Sequence, residues 1–210
     1  GEVEREMTQA IPVLLEVEDK STEHTCKWIA TLAEHLSEER SLDIRLVYNQ
    51  LSMEHKKQLL QLSGQRVKVV LYNIKKYTAK QRRTCKEILA SLIFSEYEKV
   101  VCLDTGWCVE DDISKIYDLN MDDCLIRALR DNEKETEQKK DIYLAGITGM
   151  NTAVSVINVQ LWTQKLISEQ VQGLLNDTKY EKYNEQEILN IACMKQRAFI
   201  EEAFQVFVYE

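Results

Sequence analysis

Lys99-Val100-Val101-Cys102-Leu103-Asp104-Thr105-Gly106 is the stretch on which the reading of this 210-residue chain turns. Four consecutive apolar residues read as a strand buried on both faces, the kind from which parallel sheets are built. The run ends in Asp104, where such a strand delivers a carboxylate to a ligand beyond its carboxyl end. Two positions on, where a second carboxylate would complete a divalent-cation clamp, stands Gly106.

Outward from this strand, apolar runs and helical spacings alternate. Ile11–Val17, Leu42–Tyr48 and Val67–Leu71 read as strands, and Cys124–Leu129 and Ala153–Val159 as later ones. Helices are expected over Thr22–Leu36, from a Ser52 cap to Leu62, and over Thr78–Phe94, Trp162–Asn176 and Glu185–Cys193. Strands that alternate with helices need crossover connections. The class is therefore α/β, a mainly parallel central sheet flanked by helices on both faces. The polar run 130–141 reads as a mobile surface loop inside a single domain spanning residues 1–210. The start at Gly1 and the apolar ending Phe204–Tyr209 suggest a piece of a longer polypeptide.

A formal net charge of −8 argues against nucleic acid or an anionic membrane as the main partner, because counterion release needs clustered cations. Six cysteines without a C-x-x-C pair read as reduced thiols, and hence as a cytoplasmic setting. No apolar run has the length of a transmembrane helix.

Ligands of open α/β sheets bind beyond the carboxyl ends of the strands. Three acidic places satisfy that rule: Glu16–Asp19, Asp104–Asp112 and Asp131. Carboxylates there suit a divalent cation holding a phosphorylated ligand, or are the ordinary loop residues of an acidic protein. A basic cluster, Lys75, Lys76, Lys80, Arg82, Arg83 and Lys86, either binds a diphosphate or is a solvated helix face. Asn184-Glu185-Gln186-Glu187 reads equally as a helix-capping segment.

Together these residues resemble the glycogenin-like family 8 retaining glycosyltransferases. Ile11–Asp19 is similar to the family's opening strand and nucleotide loop. Tyr97–Asp104 running on to Leu119 is similar to its most recognisable stretch. Asn151–Trp162 stands in place of an Asn-Ser-Gly strand, and Glu185–Asn190 in place of an Asp-Gln-Asp-Ile-Leu-Asn signature. The resemblance implies a GT-A-type domain that takes a hexose from a nucleotide sugar, a UDP-sugar, to a glycan, protein or lipid acceptor. It implies Mn²⁺ or Mg²⁺ as cofactor, with Asp104 as a ligand. Nucleotide-sugar contacts are expected from Glu18, Asp19, Asp104 and Asn151 in the resembling stretches, from Asp131 at the strand edge, and from Arg82, Arg83 and Lys86 of the basic cluster as compensation for the missing groups. Gln186 would lie beside the anomeric carbon, its carbonyl oxygen facing developing positive charge, and Glu185 would orient the sugar hydroxyls.

The departures from the family fall on the chemistry. Asp-x-Asp is here Asp104-Thr105-Gly106, a stacking Tyr is Ser21, a donor-contacting Arg is Glu87, and no His lies in the C-terminal half. Trp107, after the motif, is expected to fill space near the phosphates. Two functions stay open: a retaining hexosyltransferase, or a noncatalytic binding or scaffolding module beside an active partner protein.

Overall fold

The computed structural model describes residues 9–79, 81–132, 142, 148–201 and 205–209. Lys80 and residues 133–141 of the expected loop lie outside them. Strands β1 (Ala10–Glu16), β2 (Ser41–Tyr48), β3 (Val67–Asn73) and β4 (Lys99–Leu103) run parallel in the order β3-β2-β1-β4. Beyond a short β5 (Trp107–Val109) and β6 (Ile126–Arg130), the strand β7 (Met150–Asn158) inserts antiparallel between β4 and β6. β8 (Arg197–Phe199) closes the seven-stranded sheet on the far side of β6. Among the described residues β9 (Phe207–Tyr209) pairs with β5 as a separate ribbon.

Alternation along the strands divides the core into two layers, one on each face of the sheet. Ile11, Val13 and Leu15 of β1, with Val101 and Leu103 of β4, pack in the layer that includes Trp28 and Leu59. Leu14, Val100 and Cys102 point the other way, toward Leu89, Trp162 and Leu189. Helix α1 (Thr22–Glu34) buries Trp28, Ile29 and Leu32 in the first layer. Helix α2 (Met53–Leu60) starts where the Ser52 hydroxyl accepts the His55 N–H, the cap expected from sequence.

Two expected helices come out differently. The span Thr78–Phe94 is broken into α3 (Lys75–Thr78), a bend, a 3₁₀ turn over Lys86–Leu89 and α4 (Ala90–Ile93). Burial explains it: Glu87, Ile88, Leu89, Ala90 and Ile93 are drawn into the second layer, while the preceding basic residues stay at the surface. After α5 (Ser114–Tyr117), the span Trp162–Asn176 is likewise two helices, α6 (Val159–Gln164) and α7 (Ile167–Asn176), followed by α8 (Glu185–Cys193).

The break between α6 and α7 is Leu166, at φ 55° and ψ 42° with its side chain 57% exposed. A Cβ in the left-handed region costs about 1–2 kcal/mol, and this side chain recovers little of that by burial. Leu166→Gly is expected to raise stability by about 1 kcal/mol, read as a higher urea midpoint. Leu166→Ala, which keeps the Cβ, should not; a gain in both would contradict the strain argument.

Candidate active site

Strand alternation builds the site. Leu14 and Cys102 face each other across β1 and β4 and share the second core layer. Two residues further along each strand come Glu16, the last residue of β1, and Asp104, just past the end of β4. Both line a pocket of about 380 Å³ with Thr84, Cys85, Lys86, Glu87, Thr152, Ala153, Glu185, Gln186 and Leu189.

β7 supplies one wall because it runs antiparallel, which brings its first residues to the carboxyl edge. There the Ala153 carbonyl accepts the Asp104 N–H at 2.9 Å. α8 supplies the adjoining wall. Asn184 caps it, accepting the Glu187 N–H at 2.8 Å, while Glu187 returns the bond to the Asn184 N–H at 2.9 Å. Capping therefore falls to Asn184 and Glu187, and Glu185 and Gln186 are left to line the pocket.

Gln186 accepts the Thr152 N–H on Oε1 at 3.0 Å, which fixes its amide orientation because a backbone N–H only donates. One acceptor site of its carbonyl oxygen is thus engaged by Thr152, and Nε2 is left as the group able to donate. Asn190, fully buried, ties the whole wall together. It accepts the Met150 N–H at 2.7 Å and donates to the Met150 main-chain carbonyl at 3.0 Å and the Gln186 main-chain carbonyl at 2.9 Å.

Asp104 sits in a turn gripped from below. Its Oδ1 accepts the Gly106 N–H at 2.9 Å, and its carbonyl accepts the Trp107 N–H at 3.2 Å. His24 Nε2 donates to the Thr105 carbonyl at 2.8 Å, and Trp28 Nε1 donates to the Trp107 carbonyl at 2.6 Å. Trp107 itself turns away from this pocket. It lies 5.2 Å from the Tyr209 ring and lines a separate cavity of about 510 Å³ with Leu129, Ile200 and Phe207. The expectation that its indole fills phosphate space is therefore corrected.

Lys86 and Glu87 pair at 3.3 Å, with side chains 12% and 7% exposed. Burial favours the neutral amine of Lys86, but the adjacent Glu87 and Glu16 carboxylates outweigh it and raise the pKa, so the lysine stays cationic. Glu87 Oε2 is buried with no partner among the described residues. Glu16 keeps contact with water yet is closely hemmed in by protein. Burial raises its pKa; Lys86 opposes that, and the carboxylates of Glu87, Glu18 and Glu185 reinforce it.

Of the residues singled out from sequence, the pocket brings together Lys86, Asp104, Glu185 and Gln186. Arg82 pairs with Glu181, and Arg83 donates to the carbonyls of Tyr180 and Tyr183, so both brace the segment before α8 and neither lines the pocket. Glu18 is exposed beside Lys20 at 3.4 Å. Asp19 accepts the Ser52 N–H at 2.9 Å and bonds His55 at 2.7 Å, which hold its carboxyl below the ordinary range. Asn151 accepts the Ala153 N–H at 3.0 Å, and Asp131 is buried with its N–H on the Gly149 carbonyl. Asp111 bonds Lys115 and the Asp112 N–H, and Asp112 bonds the Ser114 N–H, so neither turns toward Asp104. Glu16, the first residue of the acidic run singled out from sequence, and Glu87, which stands where the resemblance has an Arg, line the pocket too; Thr152 was not picked out as a site residue.

The donor set does not fit a resident hard cation. Among the described residues no group of three or more His, Cys, Asp or Glu side chains is placed to hold a metal ion, and one Asp104 oxygen is taken by Gly106 N–H.

A mainly parallel sheet with a polar pocket beyond its carboxyl edge defines a ligand-binding α/β domain. The model of glycosyl transferase family 8 matches residues 19–210, and the chain belongs to that family. A putative glycosyltransferase of Haemophilus influenzae is 26% identical over 113 residues, 51% of this chain and 34% of that protein. The chain thus spans about a third of the length of that curated relative. Among solved structures, the bifunctional glycosyltransferase WbbM superposes with TM-score 0.78 at 17% identity, covering 91% of this chain and 39% of that one. The galactosyltransferase LgtC, solved with donor and acceptor sugar analogues, superposes with TM-score 0.72 at 18% identity, covering 91% and 73%. A second LgtC structure carries an active-site Gln→Glu substitution. The fold is the GT-A type. Among the described residues no helix is long and apolar enough to cross a membrane.

Asn190→Ala leaves a buried Met150 N–H and carbonyl without partners and should cost about 3 kcal/mol, measured by urea denaturation. A loss below about 1 kcal/mol would mean that Asn190 does not hold α8 to β7.

Proposed function

We propose that this domain transfers a hexosyl group from a nucleotide sugar, a UDP-sugar, to a glycan, protein or lipid acceptor, with retention of configuration. Family membership supports glycosyl transfer. The observation that carries the assignment to this site is the pocket lined by Asp104, Glu185 and Gln186 together with Lys86, Thr152 and Ala153. We place residues 1–210 in one such domain and, from six free cysteines of which three are buried, in the reducing cytoplasm.

In this reading the sugar lies between Gln186 and Asp104, and Glu185 accepts from its hydroxyls. Lys86 offsets the charge that develops on the leaving diphosphate as the bond from the anomeric carbon breaks. The acceptor oxygen enters from the same face, and its proton passes to the departing phosphate oxygen. Gln186 Nε2 donates to the sugar or to that phosphate. Glu18, Asp19, Asp131 and Asn151, none of which lines this pocket, are assigned to the nucleotide part of the donor, and Arg82 and Arg83 fix the approach of α8. Asp104-Thr105-Gly106 stands as an Asp-x-Asp motif that has lost its second carboxylate. Mn²⁺ or Mg²⁺ would find one free Asp104 oxygen, and no step is routed through it.

Hydrolysis of UDP-glucose and UDP-galactose tests the assignment. The parent should release UDP, and Asp104→Asn and Gln186→Ala should each slow release on the order of 10²-fold while remaining folded. Equal rates in all three would remove these residues from the reaction. A parent that neither binds UDP nor hydrolyses donor would favour the noncatalytic module instead.

Gly106→Asp tests the lost carboxylate. Gly106 does not adopt the left-handed region, and an added Cβ would meet Asp104 Oδ1 at 3.3 Å, close but tolerable if that flexible carboxylate shifts slightly. The variant should bind UDP at least about tenfold more tightly with Mn²⁺ than without, because added anionic oxygens strengthen a hard-cation site. The parent should show a much smaller Mn²⁺ effect; an equal effect in both would show that Gly106 is not where the metal affinity was lost.

A further inference from the structure

We infer that the segment from Thr84 to Glu87 reads the hydroxyls of the transferred hexose: Glu87 Oε2 accepts a hydroxyl hydrogen, and Thr84 Oγ1 donates to a hydroxyl oxygen. The inference rests on the reading of the pocket as the donor site and names what that site recognises in the sugar.

Two unsatisfied atoms carry it. The Glu87 side chain is 7% exposed and lines the pocket, and its Oε1 accepts from Lys86 Nζ at 3.3 Å. Its Oε2 is buried with no hydrogen-bond partner among the described residues. The same holds for Thr84 Oγ1, three residues earlier, which lines the same pocket. Buried polar atoms are nearly always paired, and leaving a charged one unpaired costs more than leaving a neutral one. Burial of Cys85, Ile88 and Leu89 in the second core layer explains why this segment lies inward. It does not explain a carboxylate with one oxygen unserved; a ligand in the pocket does.

The chemistry of that ligand follows from the two atoms together. A carboxylate only accepts, so the partner of Glu87 must bring a hydrogen, whereas a threonine hydroxyl can donate or accept. The diphosphate of a nucleotide sugar offers acceptor oxygens alone and cannot serve Glu87. A sugar hydroxyl both donates and accepts, which matches both atoms. Glu87 also shares the pocket with Glu185 and Gln186, the groups assigned to the sugar, which points to the hexose instead of the ribose. An Arg at this position, as in the resembling enzymes, would only donate. Glu87 reverses the demand and asks the ligand for a hydrogen. A sugar lacking that hydroxyl gives up a charge-assisted bond, and discrimination against it should be on the order of 10- to 100-fold.

Calorimetry tests this with UDP, deoxyuridine diphosphate, UDP-glucose, UDP-galactose and the singly deoxygenated forms of both sugars, on the parent, Glu87→Ala and Thr84→Val. In the parent, removal of one particular hydroxyl should weaken binding about tenfold or more. In Glu87→Ala the same removal should cost less than about twofold, because a contact already gone cannot be lost again. Comparing analogue with full sugar on the same protein cancels any effect of Glu87 on Lys86 and the diphosphate. Thr84→Val should likewise erase the loss for one analogue, and Glu87→Gln, which keeps an acceptor oxygen, should retain part of the discrimination. Equal losses in parent and variants for every analogue would overturn the inference and leave the donor-site reading standing. Coupling of Glu87 to the ribose hydroxyl, seen with deoxyuridine diphosphate, would also overturn it. Failure of the folded parent to bind UDP or either UDP-sugar, with and without Mn²⁺, would overturn the inference together with the donor-site reading. Should thermal melts show Glu87→Ala unfolded, Thr84→Val and the parent series decide: a parent indifferent to every deoxygenation overturns the inference.

Discussion

The site depends on one strand running the wrong way. β7 is antiparallel to its neighbours β4 and β6, so it starts where β4 ends. That reversal brings Thr152 and Ala153 to the functional edge, where backbone of β7 bonds Asp104 and Gln186. Asn190 makes the arrangement rigid. With both backbone groups of Met150 and the Gln186 carbonyl satisfied by one buried amide, α8 cannot shift along the sheet without leaving polar groups unpaired. The first turn of α8, which carries Glu185 and Gln186, is held by this bond and by the capping box.

Electrostatics set what the rigid frame can do. The carboxylates around the pocket outnumber its lysine, and that lysine is already partnered. The arginines that would have tilted the balance toward phosphate are turned to the segment before α8. Asp104 gives one oxygen to Gly106 N–H, so the turn that ends β4 is closed on itself and braced by His24 and Trp28. Any phosphorylated ligand must therefore bring, or induce, its own charge compensation. This requirement distinguishes the pocket from a preformed two-carboxylate metal clamp.

Much of this was legible in the sequence. The uninterrupted apolar run before Asp104 announced a strand buried on both faces, and alternation with amphipathic helices announced a mainly parallel sheet with Asp104 at its edge. Ser52 and Asn184 marked helix starts by ordinary capping chemistry. What escaped was decided by tertiary burial. Local composition made Thr78–Phe94 look like one basic helix, but the pull of Ile88, Leu89 and Ile93 into the core broke it and turned Arg82 and Arg83 aside. Leu166 looked like an interior helix residue and is instead the left-handed break. Glu16 was legible only as the head of the acidic run Glu16–Asp19; that it lines one pocket with Asp104, Lys86 and Gln186 is a tertiary fact.

The central claim is that the edge pocket between Asp104 and Gln186 receives a nucleotide sugar. Backbone amide NMR of the chain titrated with UDP-glucose and UDP-galactose tests it most directly. Saturable shifts should gather at Glu16, Lys86, Gly106, Thr152, Ala153 and Gln186, the residues that line the pocket or form its turn. Shifts confined to Ile116, Leu129, Ile200 and Phe207, around the other cavity, would contradict the account.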